Sequence, residues 1–155
     1  MSHIDTLDGA IVSFLNYVQA LPLTFQENET TIIGYQFHGG ANQQWRLERV
    51  DGSSVWPTWK LHNVQSKTVV DLAFGGAKNG NPIIGQVNED NNNNQLWHLV
   101  SADPLGRVVM IQNIGTGTYI DLFNGSSANL TKITGWAGTV QDKNPHQLWR
   151  VLRMN

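Results

Sequence analysis

A chain of 155 residues with 40% apolar side chains suits one domain with a real core, and having no cysteine it excludes a disulfide framework and a cysteine-based metal site. The net charge of −2, without any Lys/Arg run, excludes the basic patch on which nucleic-acid affinity depends. No apolar run approaches the ~20 residues of a membrane span, and Met1–Asp5 has neither a basic start nor a long apolar stretch, so the chain reads as soluble and cytosolic.

After a short leader, Met1 to Gly9, the first candidate strand is Ser13-Phe14-Leu15-Asn16. Residues 10–20 tempt a helix assignment, but their register with later segments predicts a strand and a turn. Leu21-Pro22-Leu23, Ile32-Ile33-Gly34 and the Gln43-Gln44-Trp45 segment follow. The same series then recurs: Trp59-Lys60-Leu61-His62-Asn63, Val70-Asp71-Leu72, Ile83-Ile84-Gly85 and Gln95-Leu96-Trp97. It recurs again as Val109-Met110-Ile111-Gln112-Asn113, Ile120-Asp121-Leu122, Ile133-Thr134-Gly135 and Gln147-Leu148-Trp149. β-branched and aromatic residues dominate these runs, and Gly/Asn/Ser/Asp clusters separate them.

The three Gln-x-Trp tryptophans stand 52 residues apart (45 to 97, 97 to 149). Equal intervals of this size mark an internal repeat. The repeats run from about 10–50, 55–101 and 105–153, joined near Asp51-Gly52-Ser53-Ser54 and Ser101-Ala102-Asp103-Pro104. One repeat of this length could scarcely bury a core alone, so residues 1–155 are expected to form a single domain. Twelve short strands in three equal units need a closed three-fold architecture to remove their edges. Aligned by apolar runs, the first repeat looks two residues shorter, with Pro22 opposite Asp71 and Asp121. Trp45, Trp97 and Trp149 are expected in the core with Ile33, Ile84, Leu23, Leu72 and Leu122. Trp56 and Trp59 have no matching tryptophans and read as packing or as an exposed patch.

With these triplets in place the chain resembles the ricin-B-type β-trefoil lectins, whose mark is a Gln-x-Trp in each of three repeats. The resemblance spans roughly residues 10–153. Within that group it is most similar to the fungal fruiting-body lectins, through Thr118–Ser127 and Gly135-Trp136-Ala137-Gly138-Thr139 followed by Asn144-Pro145-His146-Gln147-Leu148-Trp149. It implies an all-β fold, a β-trefoil of three four-stranded repeats with pseudo-three-fold symmetry. It also implies galactose or N-acetylgalactosamine as the sugar, and a defensive role against predators and parasites.

The residue types fit that chemistry. A pyranose presents C–H bonds that stack on an aromatic face, and a rim of hydroxyls that each donate and accept. A carboxylate can accept two hydroxyls in charge-assisted bonds, and a mismatched epimer leaves such a group unpaired. Only 14% of residues are charged, below the ~25% of an average protein, so the surface is rich in neutral amides and hydroxyls. In the family, the residue at the Asp121 position and the aromatic after the hydrophobic-Gly step contact sugar. The third repeat therefore carries the fullest set: Asp121, Trp136, Gly138, Asn144, His146 and Gln147, with Gln147 either a contact or a support for Asp121. The second carries Asp71, Asn94 and Gln95, but Gln86 fills the aromatic slot and Phe74 is the nearest substitute ring. The first carries Tyr35, His38, Gly39, Asn42 and Gln43, with Pro22 read in place of the carboxylate.

No catalytic constellation, metal-ligand spacing or cofactor motif stands out among the five histidines or elsewhere. The Asn-rich run Asn88–Asn94 lacks EF-hand spacing and reads as a solvated turn. The rival function is a trefoil protease inhibitor acting through its loops. Shallow monosaccharide sites are weak singly, so glycan partners would be held by several sites or through a homodimer.

Overall fold

The computed structural model describes residues 3–50 and 57–155. Trp56 and the expected linker Asp51-Gly52-Ser53-Ser54 lie outside the described residues. Four strands make up the first repeat: β1 (Ile11–Asn16), β2 (Leu23–Gln26), β3 (Thr31–Gly34) and β4 (Trp45–Val50). The second has β5 (Thr58–Asn63), β6 (Val69–Leu72), β7 (Asn81–Gln86) and β8 (Trp97–Ser101). The third has β9 (Val108–Asn113), β10 (Tyr119–Leu122), β11 (Thr131–Trp136) and β12 (Trp149–Arg153). Residues 10–20 form β1 and the turn after it, as the repeat register requires.

Every pairing is antiparallel. β1 pairs with β4, β4 with β5, β5 with β8, β8 with β9, β9 with β12, and β12 with β1 again. That circuit is a closed barrel. The hairpins β2–β3, β6–β7 and β10–β11 form a cap, closed in turn by β3–β7, β7–β11 and β11–β3. Two closed circuits protect strand edges that would otherwise invite foreign strands. The fold is a β-trefoil.

Each repeated tryptophan is almost fully buried, and its indole N–H donates to a backbone carbonyl of its own repeat. Trp45 donates to Leu23, Trp97 to Val70 and Trp149 to Ile120, each at 3.0 Å. These bonds define the true alignment of the repeats. Leu23, Val70 and Ile120 are equivalent, so Thr24 is the counterpart of Asp71 and Asp121. Pro22 is not; it sits one bridge earlier, opposite Leu15. Thr24 lies eight residues after Asn16, as Asp71 does after Asn63 and Asp121 after Asn113, so no shortening occurs before it. The first repeat is shorter in the next loop instead. Four residues (27–30) join β2 to β3, against eight (73–80 and 123–130) in the other two hairpins.

Strand alternation corrects the core as well. The residues that pack into it are Ile32, Ile83 and Ile133, with Leu23 and Phe25, Val70 and Leu72, and Ile120 and Leu122 opposite. Ile33 and Ile84, expected in the core, point the other way, cross-strand from Thr24 and Asp71, and Ile84 is only half-buried. Trp59 is buried, at the position that Val12 and Val109 fill in the other repeats. The glycine after each of these pairs permits close packing around the three-fold axis. A Cβ on Gly34 would lie 2.9 Å from Leu122, on Gly85 2.5 Å from Phe25, and on Gly135 2.9 Å from Leu72.

Three buried asparagines lock one repeat to the next. Asn16, Asn63 and Asn113 end β1, β5 and β9. Asn63 Nδ2 donates to the Asn42 carbonyl at 3.1 Å, Asn113 Nδ2 to Asn93 at 3.0 Å, and Asn16 Nδ2 to Pro145 at 3.1 Å. Each thus grips the 3-10 turn before the tryptophan of the neighbouring repeat. Each Oδ1 meanwhile accepts two backbone N–H groups of its own following turn. Loss of such a side chain leaves several buried polar groups unpaired. Asn113→Ala is expected to cost about 1–3 kcal/mol or more in urea denaturation, and to shift backbone NMR resonances of residues 93–95, which belong to the repeat before it. Unchanged resonances there would refute the clamp.

Candidate functional site

The site of the third repeat is built on the end of β10. Asp121 is 3% exposed and follows Ile120, whose carbonyl holds Trp149. Gln147 stands two residues before Trp149, so both side chains reach the same strand at successive residues. Gln147 Nε2 donates to Asp121 Oδ2 at 3.0 Å and to the Ala137 carbonyl at 3.1 Å. The other carboxylate oxygen lies 4.0 Å from His146 Nδ1. Asn144 Oδ1 accepts the backbone N–H of His146 at 3.0 Å, which fixes the 3-10 turn Pro145–Gln147. Trp136, half-buried at the end of β11, meets Phe123 edge-on, with ring centroids 6.3 Å apart and planes at 78°. Sequence reasoning missed Phe123. Its signal was an aromatic two residues after the aspartate, where the second repeat has Ala73.

Asp121, His146, Asn144 and Gln147 are therefore brought together, with Trp136 joined to them through the Ala137 carbonyl that Gln147 holds. Gln147 itself is fully buried and stands behind the carboxylate. Gly138 serves this arrangement: a Cβ there would collide with Gln147 Oε1. That oxygen and Thr134 Oγ1, across the strand pair from Asp121, are buried with no hydrogen-bond partner. In the other repeats the matching glutamine oxygens accept backbone N–H groups, from His38 and Gly39 or from Glu89.

The second repeat reproduces the floor. Gln95 Nε2 donates to Asp71 Oδ2 at 3.0 Å and to the Val87 carbonyl at 2.8 Å. Asn94 takes the place of His146, and Asn92 caps its turn as Asn144 does. Gln86, at the Trp136 position, is exposed.

The first repeat keeps the frame with a neutral floor. Gln43 Nε2 donates to Thr24 Oγ1 at 3.2 Å, and that hydroxyl donates to the Pro22 carbonyl at 2.9 Å, so its hydrogen is engaged. Tyr35 stands edge-on to His38, centroids 6.2 Å apart. Gly39 gives its N–H to Gln43, and Asn42 Nδ2 donates to the Phe25 carbonyl at 3.2 Å. Tyr35, His38, Asn42, Ile33, Thr24 and Leu130 border an open depression of about 370 Å³.

Burial pushes both aspartates above the usual carboxylate range, and the glutamine N–H on each opposes it. The nearby Glu89 carboxylate raises Asp71 further, whereas His146 lowers Asp121. Among the described residues no group of three or more His, Cys, Asp or Glu side chains is placed to hold a metal ion, and no helix is long and apolar enough to cross a membrane.

A β-trefoil with an amide-held carboxylate at the end of the second strand in two of three repeats defines a lectin-type domain. The chain belongs to the ricin-type β-trefoil lectin domain-like family, whose model matches residues 15–86 and 41–136. No curated protein matches it. Among solved structures it is similar to the Rhizoctonia solani agglutinin (23% identity, 96% of this chain and 98% of that chain, TM-score 0.80). It is also similar to the Macrolepiota procera ricin B-like lectin solved with lactose (21%, 95% and 97%, TM-score 0.78). The designed three-fold symmetric protein ThreeFoil matches at 22% identity over 95% of this chain and 100% of that chain, with a TM-score of 0.80.

The raised aspartate has a measurable consequence. Native Asp121 holds its proton to higher pH than unfolded Asp121, so ionisation costs stability as pH rises from 3.8 through the native value, and the cost is complete above it. Asp121→Asn removes that cost and keeps an acceptor for Gln147. Its thermal midpoint at pH 7 is expected to equal or exceed that of the wild type, with the gap closing below pH 3.8. A midpoint several degrees lower at pH 7 would mean that the charge stabilises the fold.

Proposed function

We propose that this chain, read as one domain over residues 1–155, is a non-catalytic lectin for glycans ending in galactose or N-acetylgalactosamine. The observation that carries this reading is Asp121, buried and fixed by Gln147, with His146 beside it and Trp136 at the rim. Asp121 accepts two neighbouring sugar hydroxyls in charge-assisted bonds. Trp136 stacks on the C–H face of the ring, and Phe123 braces it edge-on. His146 and the free amide of Asn144 complete the hydroxyl rim. Gln147, Gln95 and Gln43 act as positioning residues. An epimer that turns one hydroxyl away leaves a polar group unpaired, which is the source of selectivity.

The choice of galactose is supported by the family resemblance and by the lactose bound to the Macrolepiota procera relative. The same resemblance supports a defensive role. A shallow site of this kind binds weakly alone, so useful avidity comes from more than one repeat or from a homodimer.

Wild-type protein on a glycan array should bind galactose-terminated or N-acetylgalactosamine-terminated glycans. Asp121→Ala should lose most of that signal. Trp136→Ala should weaken it about tenfold, equivalent to about 1.4 kcal/mol. A wild type that binds no glycan and inhibits a protease would replace this reading with that of a trefoil inhibitor. Full binding by Trp136→Ala together with loss in Tyr35→Ala would move the leading site to the first repeat.

A further inference from the structure

In each repeat the first and last strands meet along a seam of the barrel. β1 and β4 pair at two residues, as β9 and β12 do. Leu47 and Val151 then extend those seams, donating their backbone N–H groups to the Ala10 and Arg107 carbonyls at 2.9 and 2.8 Å. The seam of the second repeat has one pair among the described residues, Trp59 with Trp97. Leu99, the counterpart of Leu47 and Val151, makes no such bond to Pro57, the counterpart of Ala10 and Arg107. The Pro57 carbonyl instead accepts from Nδ1 of the His98 ring at 3.1 Å. The larger Trp59 stands where the other seams have Val12 and Val109. At this break in the three-fold pattern lies a cavity of about 480 Å³, a volume typical of small-molecule sites.

The cavity has an apolar wall and one polar row. Ile4, Trp59, Leu99, Val100 and Val140 supply the wall. His98, Gln112 and Tyr119 supply the row. They are successive cross-strand neighbours on β8, β9 and β10, so their side chains share one face of the sheet. Tyr119 is 5% exposed, and its hydroxyl has no hydrogen-bond partner among the described residues. A polar group so deeply placed is costly until something pairs with it. Burial also pushes this phenol above its ordinary range, so it remains a donor at neutral pH. A carbonyl can only accept, so the His98 nitrogen on Pro57 carries the proton, and the neutral ring keeps Nε2 as an acceptor. Gln112 Nε2 donates to the Gly117 carbonyl at 3.2 Å, which leaves its oxygen to accept. None of these residues takes part in the carbohydrate sets described above.

We infer that this cavity is a binding site, separate from the sugar sites, for a phenol: a small, neutral, mainly apolar aromatic molecule with one hydroxyl. The Tyr119 hydroxyl donates to the ligand's oxygen, and His98 Nε2 accepts the ligand's O–H. The aromatic body lies along Trp59, Leu99 and Val140, where it gains from burial. A sugar ring, hydroxylated on every side, finds too few partners there. Asp5 also borders the cavity, and its negative charge disfavours an anion.

Titration of 2-naphthol into the full chain, followed by backbone and indole NMR, tests this. Shifts should centre on residues 98–101, 112 and 119 and on the Trp59 indole. Tyr119→Phe removes only the unpartnered hydroxyl. It should weaken 2-naphthol about fivefold or more, with the thermal midpoint unchanged or raised and the glycan-array profile unchanged. On the wild type, 2-methoxynaphthalene lacks the donor and 2-naphthoate carries a charge, so each should bind about fivefold or more weakly than 2-naphthol. Equal binding of the three ligands would overturn the inference, as would 2-naphthol affinity within twofold of the wild type in Tyr119→Phe. Shifts centred on Trp136 and Phe123, or no binding by the wild type, would overturn it too. Each of these results leaves the lectin reading untouched.

Discussion

The fold and the candidate sites both depend on one pair of bonds. In each Gln-x-Trp triplet the indole N–H reaches the carbonyl of one residue on the second strand of the repeat, and the glutamine amide reaches the side chain of the next. The glutamine closes a 3-10 turn and the tryptophan opens the next strand one extended residue later, so both side chains reach the second strand of the repeat. The tryptophan closes the core, and the glutamine, fully buried, fixes whatever stands at position 24, 71 or 121. A surface carboxylate would be free to rotate in water. Here burial and a rigid donor hold it in one orientation, at the expense of its ease of ionisation.

This explains why three repeats with the same frame differ in chemistry. Asp121 has a histidine beside it and a tryptophan at its rim. Asp71 has a like charge nearby and Gln86 where the third repeat has its tryptophan. Thr24 donates its hydroxyl proton internally and leaves a neutral depression. The buried asparagines make the frame collective, because each repeat's turn is held by the strand that opens the next. A site therefore depends on residues of two repeats, and so does its rim: Leu130 of the third repeat borders the depression of the first, and Asn79 of the second accepts the Ala137 N–H beside Trp136.

Much of this could be read from the chain. The 52-residue interval of the tryptophans identified the repeat, the strand count and the closed architecture. Asp71 and Asp121 stood out because they recur at one place within an apolar run in two repeats, and Trp136 because it follows the hydrophobic-Gly step. The errors came from aligning the first repeat by apolar resemblance. Leu21-Pro22-Leu23 looks like Val70-Asp71-Leu72, but a strand's register follows its hydrogen bonds, and the eight-residue interval from Asn16 already pointed to Thr24. The same habit placed Ile33 and Ile84 in the core, where two adjacent isoleucines cannot both face inward. Phe123 was legible as an aromatic two residues after the aspartate and was passed over, whereas the exposure of Phe74 was beyond the sequence. A left-handed residue in a loop, as Phe74 is with φ 56°, leaves no periodic pattern to detect.

The bonds from the tryptophans end on backbone carbonyls, and every residue type supplies one. Leucine, valine and isoleucine stand at the three receiving positions, and each serves equally. Such a joint places almost no demand on the identity of its partner, so the strand beneath it is free to drift as long as it stays apolar. A fold fastened in this way can lose most of its resemblance in letters while keeping its shape. That fits the superposition of this chain on trefoils with which it shares only 21–23% of its residues.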